Sequence, residues 1–349
     1  MVKPNNIQSQ TDNRLLRLAV PSDGELQEPS LKFLASCGLP ISRPSSRRYT
    51  ATFRSVDNAM ALFQRAADIP TKVEEGIADI GIVGMDRYQE SRIVTGKTIV
   101  LLDNLGFGQC ELVLAVPDLW IDVTSISDLG DLAIEFRKAG RELRIATKFP
   151  RLVQNFLYEK GINYFTLVLS SGTLEAAPAI GYADLIADLT ASGATLRENG
   201  LRTLDDGVIL SSQACLIGNQ EALASKSFRA RSVKPVLEAM EAHLRALQFC
   251  SITANVQGES PDSVAERILT RTDLAGTKGP TVSAVYAKTG IGWYSTTIIV
   301  QRSRVQDAIE HLRSLGGDAI AVSPLEYLFQ GNCNSYDYLE SMIGNNPDA

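Results

Sequence analysis

Ala183-Asp184-Leu185-Ile186-Ala187-Asp188-Leu189-Thr190-Ala191-Ser192-Gly193-Ala194-Thr195-Leu196 sets an apolar strand, a carboxylate and a loop of small hydroxylated residues in one line, and a helix can start at its end. Such a turn offers backbone N–H groups, two hydroxyls and a positive helix end to one phosphate without needing a lysine. Asp188, at the carboxyl end of the strand, would sit beside that phosphate and accept hydrogen bonds from the hydroxyls of an attached ribose. The same residues also fit an ordinary strand–turn–helix junction in which Thr195 caps the helix. Asp184 reads as a surface or capping residue.

Working outward, short β-type runs alternate with helical patterns from Leu15 to Ala214, which argues for α/β layers with parallel strands. Strands are predicted over residues 15–20, 79–83, 110–116, 144–146, 165–169 and 185–188, and helices over 29–37, 71–75, 151–160 and 174–180. Pro21 to Gly24, Gly38, Gly76, Pro117 and Gly161 punctuate them. Gly81, inside the strand over 79–83, permits a close backbone approach. Two α/β lobes with a cleft between them follow.

Beyond Gly218 the pattern changes to a long amphipathic helix over 233–247 and then a separate unit. Strand 251–256, helix 261–269, strands 281–286 and 293–300, helix 305–315 and strand 319–322 give the order βαββαβ, the ferredoxin-like arrangement. The tail after Gln330, with Asn332, Asn334, Asn345 and Asn346, is polar and expected to be mobile. No internal repeat is apparent.

Composition excludes several classes. A chain of 349 residues, 44% of them hydrophobic, folds as two or three domains. A net charge of −6, with the two signs interspersed, supplies no positive field for nucleic acid. The first dozen residues lack the apolar stretch of a secretory signal, and no uncharged apolar run is long enough to cross a bilayer, so a cytoplasmic protein is expected. Five widely spaced cysteines read as reduced core thiols. There is no Gly-x-x-x-x-Gly-Lys-Ser/Thr loop. The only two histidines, His243 and His311, fall on predicted helices away from the lobes, which argues against a histidine triad.

An acidic strand followed by Ser192-Gly193-Ala194-Thr195-Leu196 resembles the phosphoribosyl pyrophosphate loop of the ATP phosphoribosyltransferases. Further segments agree in order. They are Leu16-Arg17-Leu18-Ala19-Val20-Pro21 with Gly24, Arg65 with Asp68-Ile69-Pro70, Asp79-Ile80-Gly81-Ile82-Val83-Gly84, and Gly106-Phe107-Gly108-Gln109-Cys110. Arg144-Ile145-Ala146-Thr147 with Phe149-Pro150, and Gly172 with Glu175, complete the set. Matches run from Arg14 to Gln330. Gly276-Thr277-Lys278-Gly279-Pro280-Thr281 and Trp293 resemble the histidine-regulated module of the family's long form.

The resemblance implies a two-lobed catalytic part like type II periplasmic binding proteins, joined to an ACT-like βαββαβ regulatory domain. Residues 1–110 with 211–249 would form the first lobe, 111–210 the second, 250–330 the regulatory domain and 331–349 the tail. In the implied reaction, N1 of the adenine of ATP attacks ribose C1 of phosphoribosyl pyrophosphate and pyrophosphate departs, at the entrance to histidine biosynthesis. This is positioning and electrostatics, with no side-chain nucleophile. Mg2+ would bridge the pyrophosphate oxygens with few protein ligands and no dedicated site.

By the same resemblance, Asp188, Leu189, Thr190, Ala191, Ser192, Gly193, Ala194 and Thr195 would hold phosphoribosyl pyrophosphate, with Asp188 on the ribose hydroxyls. Glu175 would lie near the reacting ribose or its magnesium. Arg65 would contact a phosphate, and Asp79 would lie on the cleft edge of the first lobe, both on the ATP side. Asn255, Thr277, Gly279, Thr281 and Ala319 would receive histidine as a feedback inhibitor. Dimers associating into a hexamer are implied.

The chain departs from the family in one direction. Asp23, Glu25, Met85 and Glu111 stand where many members carry a cation, which implies weaker ATP binding. A non-catalytic small-ligand sensor with the same fold is the competing reading. An exported solute-binding protein ranks last, since it explains neither the missing export signal nor the C-terminal domain.

Overall fold

Runs that are apolar at every position become inner strands, because a parallel strand covered by helices on both faces has no side to give to water. In the computed structural model, which describes residues 15–43, 45, 47–170, 172–224, 228–286 and 292–344, the chain divides into two units. One comprises Met1–Phe33, Ile41–Val233 and Tyr338–Ala349, the other Leu34–Pro40 and Lys234–Asp337.

In chain order the elements are β1 (Leu16–Pro21), α1 (Gln27–Ser36), β2 (Ile41–Ser42), β3 (Thr50–Phe53), β4 (Ala59–Gln64), α2 (Ile69–Glu74), β5 (Ile80–Gly84), α3 (Met85–Ser91) and β6 (Thr98–Leu102). There follow β7 (Cys110–Pro117), α4 (Ile126–Lys138), β8 (Leu143–Thr147), α5 (Pro150–Glu159), β9 (Phe165–Leu169), β10 (Leu185–Thr190), α6 (Ala194–Glu198), β11 (Leu201–Ser212), β12 (Ala214–Asn219) and α7 (Phe228–Ala246). Last come β13 (Phe249–Gln257), α8 (Pro261–Leu269), β14 (Thr281–Val285), β15 (Trp293–Gln301), α9 (Val305–Ser314), β16 (Asp318–Pro324) and α10 (Asn334–Gly344).

The first unit holds two sheets, one per lobe, in the orders β2-β3-β4-β1-β5-β12-β6 and β11-β7-β10-β8-β9. β1 runs parallel to β4 and β5, and β8 runs parallel to β9 and β10. The chain leaves the first sheet after β6, builds the second, and returns as β12 between β5 and β6. β5 is buried at every position. Gly81 is what lets α2 lie directly on it, since a Cβ there would stand 2.6 Å from Ile69 Cγ2.

The second unit has a four-stranded antiparallel sheet in the order β14-β15-β13-β16. With its two helices this is the ferredoxin-like arrangement expected from periodicity. Ile252, Ala254, Val256, Ile298 and Val300 pack with Val264, Ile268, Ala308 and Leu312 of α8 and α9. By contacts, the unit takes in Leu34–Pro40 as well as Lys234–Asp337, whose first residue lies inside α7.

Four expectations need correction. Residues 41–64 contain three strands that were not predicted. In β4, Ala59-Met60-Ala61-Leu62-Phe63 alternates buried with half-buried, but every residue is apolar and the period of two is invisible in sequence. The helix expected over 174–180 is a single 3-10 turn, Leu174–Ala176. Pro178 lacks an N–H and stops the ladder.

The polar tail is not simply a mobile end. Residues 334–344 form α10, with Cys333, Ser335, Leu339 and Ile343 buried. Its first N–H groups, from Asn334 and Ser335, donate to the Glu241 carboxylate at 3.1 and 2.5 Å, a negative charge placed where a helix start favours it. Asn345 and Asn346 lie outside the described residues.

A short repeat does exist across the lobes. Leu16-Arg17-Leu18-Ala19 with Gly76-Ile77-Ala78-Asp79-Ile80 is echoed by Leu143-Arg144-Ile145-Ala146 with Gly181-Tyr182-Ala183-Asp184-Leu185. In both, an arginine at the start of one strand is held by the aspartate that precedes its neighbour.

Candidate active site

Ligands of parallel α/β sheets gather beyond the carboxyl ends of the strands. In the first lobe that edge carries Pro21, Gln64 and Gly84; in the second it carries Thr147 and Thr190. Asp188 lies near this edge in β10, opposite Val113 of β7, at the rim of an apolar cluster of Val113, Leu174, Ile186 and Leu196. It is 8% exposed. The Leu189 N–H donates to its Oδ1 at 2.9 Å, and Lys148 Nζ stands 3.8 Å from its Oδ2. Burial raises its pKa above the ordinary carboxylate range. The Leu189 N–H, Lys148 and Arg87 act in the opposite direction, while Glu175 adds to the rise. Glu175, half-buried in the 3-10 turn, is thus within electrostatic reach of Asp188.

The loop after β10 is built by its own side chains. The Gly193 N–H donates to Thr190 Oγ1 at 2.8 Å, and the Ala194 N–H to Ser192 Oγ at 3.4 Å. Gly193 adopts φ 69° as the N-cap of α6, a left-handed conformation that favours glycine. The capping role considered for Thr195 falls to Gly193 instead, so the Thr195 hydroxyl is left exposed at the start of α6. Ala191, Ser192 and Ala194 are also exposed, and Leu189 and Thr190 are half-buried. Arg197 donates to the Ser192 carbonyl at 3.1 Å and places a cation under the turn.

In the first lobe the structure corrects one assignment. Asp79 is not on the cleft edge. It precedes β5 at the amino end of the parallel strands, is fully buried, and is paired with Arg17 at 2.8 Å and Arg229 at 3.0 Å. Its carboxylate also accepts the Arg17 N–H at 2.7 Å, so it ties strands together. Asp184 does the same in the second lobe, accepting from the Arg144 N–H at 2.8 Å and from the guanidinium of Arg141. Arg65 follows β4 at the carboxyl edge and is exposed, with no ion pair among the described residues. Asp23, Glu25 and Glu111 are exposed, and Met85 is half-buried. Cys110, between them, has its thiol pushed up to about 11, first by burial and then by the charges of Asp86, Glu25 and Glu111.

Two cations were missed in the sequence. Lys148 follows β8 directly, and Arg87 lies in the first turn after β5, with its guanidinium 4.3 Å from the Phe149 ring centroid. Position was the usable signal: both are among the first residues beyond a parallel strand. The contact belongs to a clasp between the lobes. Glu90 of α3 accepts the N–H groups of Arg151 and Leu152 at 2.9 and 3.0 Å, capping α5. The Arg151 guanidinium donates back to the carbonyls of Gln89 and Arg92.

In the second unit, Asn255 pairs with Ser295 and Asp318, and Thr281 pairs with Thr297, which pairs with Thr253. Asn255 and Thr281 therefore share the sheet face opposite the helices. Ala319, at φ 51°, adjoins the bulge beside Asn255. Thr277 is elsewhere, lining a hollow of about 340 Å³ with Phe249, Asp273, Ile299 and Arg304. Gly279, at φ 99°, turns the chain toward β14. Ile299 is opposite Ser251, and four residues of strand span about 13 Å. Thr277 and Asn255 thus do not converge on one small molecule within this unit.

A buried carboxylate beside a hydroxyl-rich turn thus stands at the strand ends of a two-lobed α/β unit, and a ferredoxin-like unit follows it in the chain. A family model described as ATP phosphoribosyltransferase matches residues 65–242, and one described as HisG, C-terminal domain, matches 246–327. The chain is 36% identical over 335 residues to ATP phosphoribosyltransferase 2, chloroplastic, of Arabidopsis thaliana, covering 94% of this chain and 81% of that one. It is 34% identical over 330 residues to ATP phosphoribosyltransferase of Nitrobacter hamburgensis, covering 94% and 98%. A solved structure, the ATP phosphoribosyl transferase (HisG:HisZ) complex from Thermotoga maritima, is 28% identical with a TM-score of 0.49, covering 65% of this chain and 99% of that chain.

The chain belongs to the ATP phosphoribosyltransferase family, in its long form with the C-terminal domain. It is a transferase of the first step of histidine biosynthesis, and the non-catalytic sensor is not favoured.

Proposed function

We propose that the transfer of phosphoribose to adenine N1 takes place at the edge formed by Asp188, Glu175 and the 190–195 turn. The observation that carries this is the buried Asp188 carboxylate standing next to a turn whose Ser192 and Thr195 hydroxyls face solvent. Asp188 would accept hydrogen bonds from the ribose hydroxyls while the turn receives the 5′-phosphate. With its burial penalty offset by those donors, Asp188 would remain anionic and favour positive charge building on the ribose. Arg65 would meet a phosphate of ATP at the first lobe's edge.

Magnesium would arrive on the pyrophosphate of the substrate and neutralise its departing charge. Glu175 and Asp188 are the carboxylates near the ribose position that could meet it. Histidine as an inhibitor is carried by the βαββαβ unit and its open polar face. Assembly into dimers and a hexamer would let a second copy complete a histidine site whose candidates are spread along one sheet. Among the described residues no helix is long and apolar enough to cross a membrane.

Purified protein incubated with ATP, phosphoribosyl pyrophosphate and magnesium should release pyrophosphate and form phosphoribosyl-ATP. No product at any substrate concentration would overturn the reading. Turnover unchanged at saturating histidine would remove the regulatory part alone.

A further inference from the structure

The charge problem at the cleft has a specific answer in two side chains from opposite lobes. Arg87, in the first turn of α3, lies over the Phe149 ring at 4.3 Å. Phe149 is itself fully buried, and its N–H donates to Thr147 Oγ1 at 3.0 Å. That turn is therefore rigid, and a guanidinium stacked on it keeps the donors along its edge free. Among the described residues those donors meet no acceptor at hydrogen-bond distance. The nearest carboxylate oxygen, Asp86 Oδ2, is 3.9 Å from Nε, and Asp86 already accepts from Ser212 Oγ at 2.6 Å.

Lys148 precedes Phe149 and is in the same condition. Its Nζ is 3.8 Å from Asp188 Oδ2, an ion contact longer than a hydrogen bond. Two cations thus flank one turn next to Asp188 with their hydrogen-bonding capacity unspent. Asp188 feels both, since each opposes the rise in its pKa.

The substrate's geometry selects what they hold. If the 5′-phosphate occupies the 190–195 turn and the ribose hydroxyls meet Asp188, the substituent on C1 extends away from that turn. We propose that Arg87 and Lys148 together hold the pyrophosphate group of phosphoribosyl pyrophosphate, in place of the cations that Asp23, Glu25, Met85 and Glu111 do not provide. The assignment rests on the placement of ribose at Asp188 argued above. A guanidinium matches two phosphate oxygens at once, and an ammonium adds a point charge. As the C1–O bond breaks, its electron pair stays on the pyrophosphate oxygen facing these cations. Adenine N1 supplies the pair for the new C1–N bond.

The test compares Arg87→Met, Arg87→Lys and Lys148→Met with the unaltered full-length protein by equilibrium binding of four probes. These are phosphoribosyl pyrophosphate with magnesium, inorganic pyrophosphate with magnesium, ribose 5-phosphate, and ATP. Loss of a charge-assisted hydrogen bond should weaken both pyrophosphate-bearing probes by about tenfold or more in Arg87→Met. Arg87→Lys should recover part of the loss, and ribose 5-phosphate and ATP should hold within about twofold. Unaltered pyrophosphate binding in Arg87→Met overturns the proposal. So does an equal loss for ribose 5-phosphate, which would mean that the Phe149 turn had moved, or a loss confined to ATP, which would assign the cations to its triphosphate. If the unaltered protein binds neither ribose 5-phosphate nor phosphoribosyl pyrophosphate, the ribose placement itself has failed. Thermal unfolding of each variant within a few degrees of the parent confirms that binding, not folding, is being read.

Discussion

Arg17 and Asp79 are joined three ways: the Arg17 N–H meets Asp79 Oδ2 at 2.7 Å, its Nη2 meets Oδ1 at 2.8 Å, and its Nε meets Oδ2 at 3.3 Å. The same guanidinium donates to the Gly76 carbonyl at 2.7 Å, so one residue pair locks two parallel strands and the turn between them. Asp79→Asn removes the buried carboxylate charge that Arg17 and Arg229 both meet. Urea unfolding should show a loss of about 3–5 kcal/mol. The equivalent Asp184→Asn should lose about 1 kcal/mol or less, because Arg144 and Arg141 are 40% and 49% exposed and solvent screens them. A larger loss for Asp184 than for Asp79 would contradict the ranking.

Asp188 should trade stability for function. Its folded pKa is raised by burial, so the folded state holds the proton more tightly than the unfolded one. Stability therefore falls as pH rises from the ordinary carboxylate value through the raised one, and stays lower above it. Asp188→Asn removes that penalty. At pH 7 the variant should melt at or above the parent temperature, with the difference shrinking in acid, while turnover drops by about a hundredfold. A variant less stable than the parent at pH 7 would refute the argument.

Thr195→Val should leave stability within about 0.5 kcal/mol, since Thr195 is exposed and does not cap α6. Steady-state kinetics should show a raised KM for phosphoribosyl pyrophosphate and an unchanged KM for ATP. Equal effects on both substrates would move the phosphate elsewhere.

Glu90→Ala should loosen the clasp between the lobes. It removes two hydrogen bonds to the start of α5, which should cost about 1–2 kcal/mol. Hydrogen exchange at Arg151 and Leu152 should accelerate, and unchanged protection there would count against the clasp.

Glu111→Arg should tighten ATP binding. Glu111 is exposed beside Cys110, whose thiol is raised first by burial and to a lesser degree by the charges of Asp86, Glu25 and Glu111. Reversing one charge should lower the ATP dissociation constant several-fold at low salt, with the gain shrinking as salt screens it. It should also bring the Cys110 thiol down from about 11, measurable by the pH dependence of its alkylation. An unchanged ATP constant would remove the link between these carboxylates and the substrate.

Local pattern determined a good part of this protein. The α/β succession, the βαββαβ order and the Asp188 to Thr195 turn were all legible, because period, strand-ending carboxylates and small-residue turns are properties of neighbours along the chain. Gly81 could be read as a point of close approach because glycine in an apolar strand has few other uses. Tertiary structure alone decided which charges face each other. Asp79 looks like a cleft residue in sequence, but the parallel sheet places it at the end away from the cleft, where Arg17 and Arg229 bury it. Arg87 and Lys148 reach one turn from two lobes, and α10 forms where Glu241, far back in the chain, supplies the charge its first turn accepts. Partners brought together by folding leave no mark on the residues beside them, because the interaction depends on distance in space and not on separation along the chain.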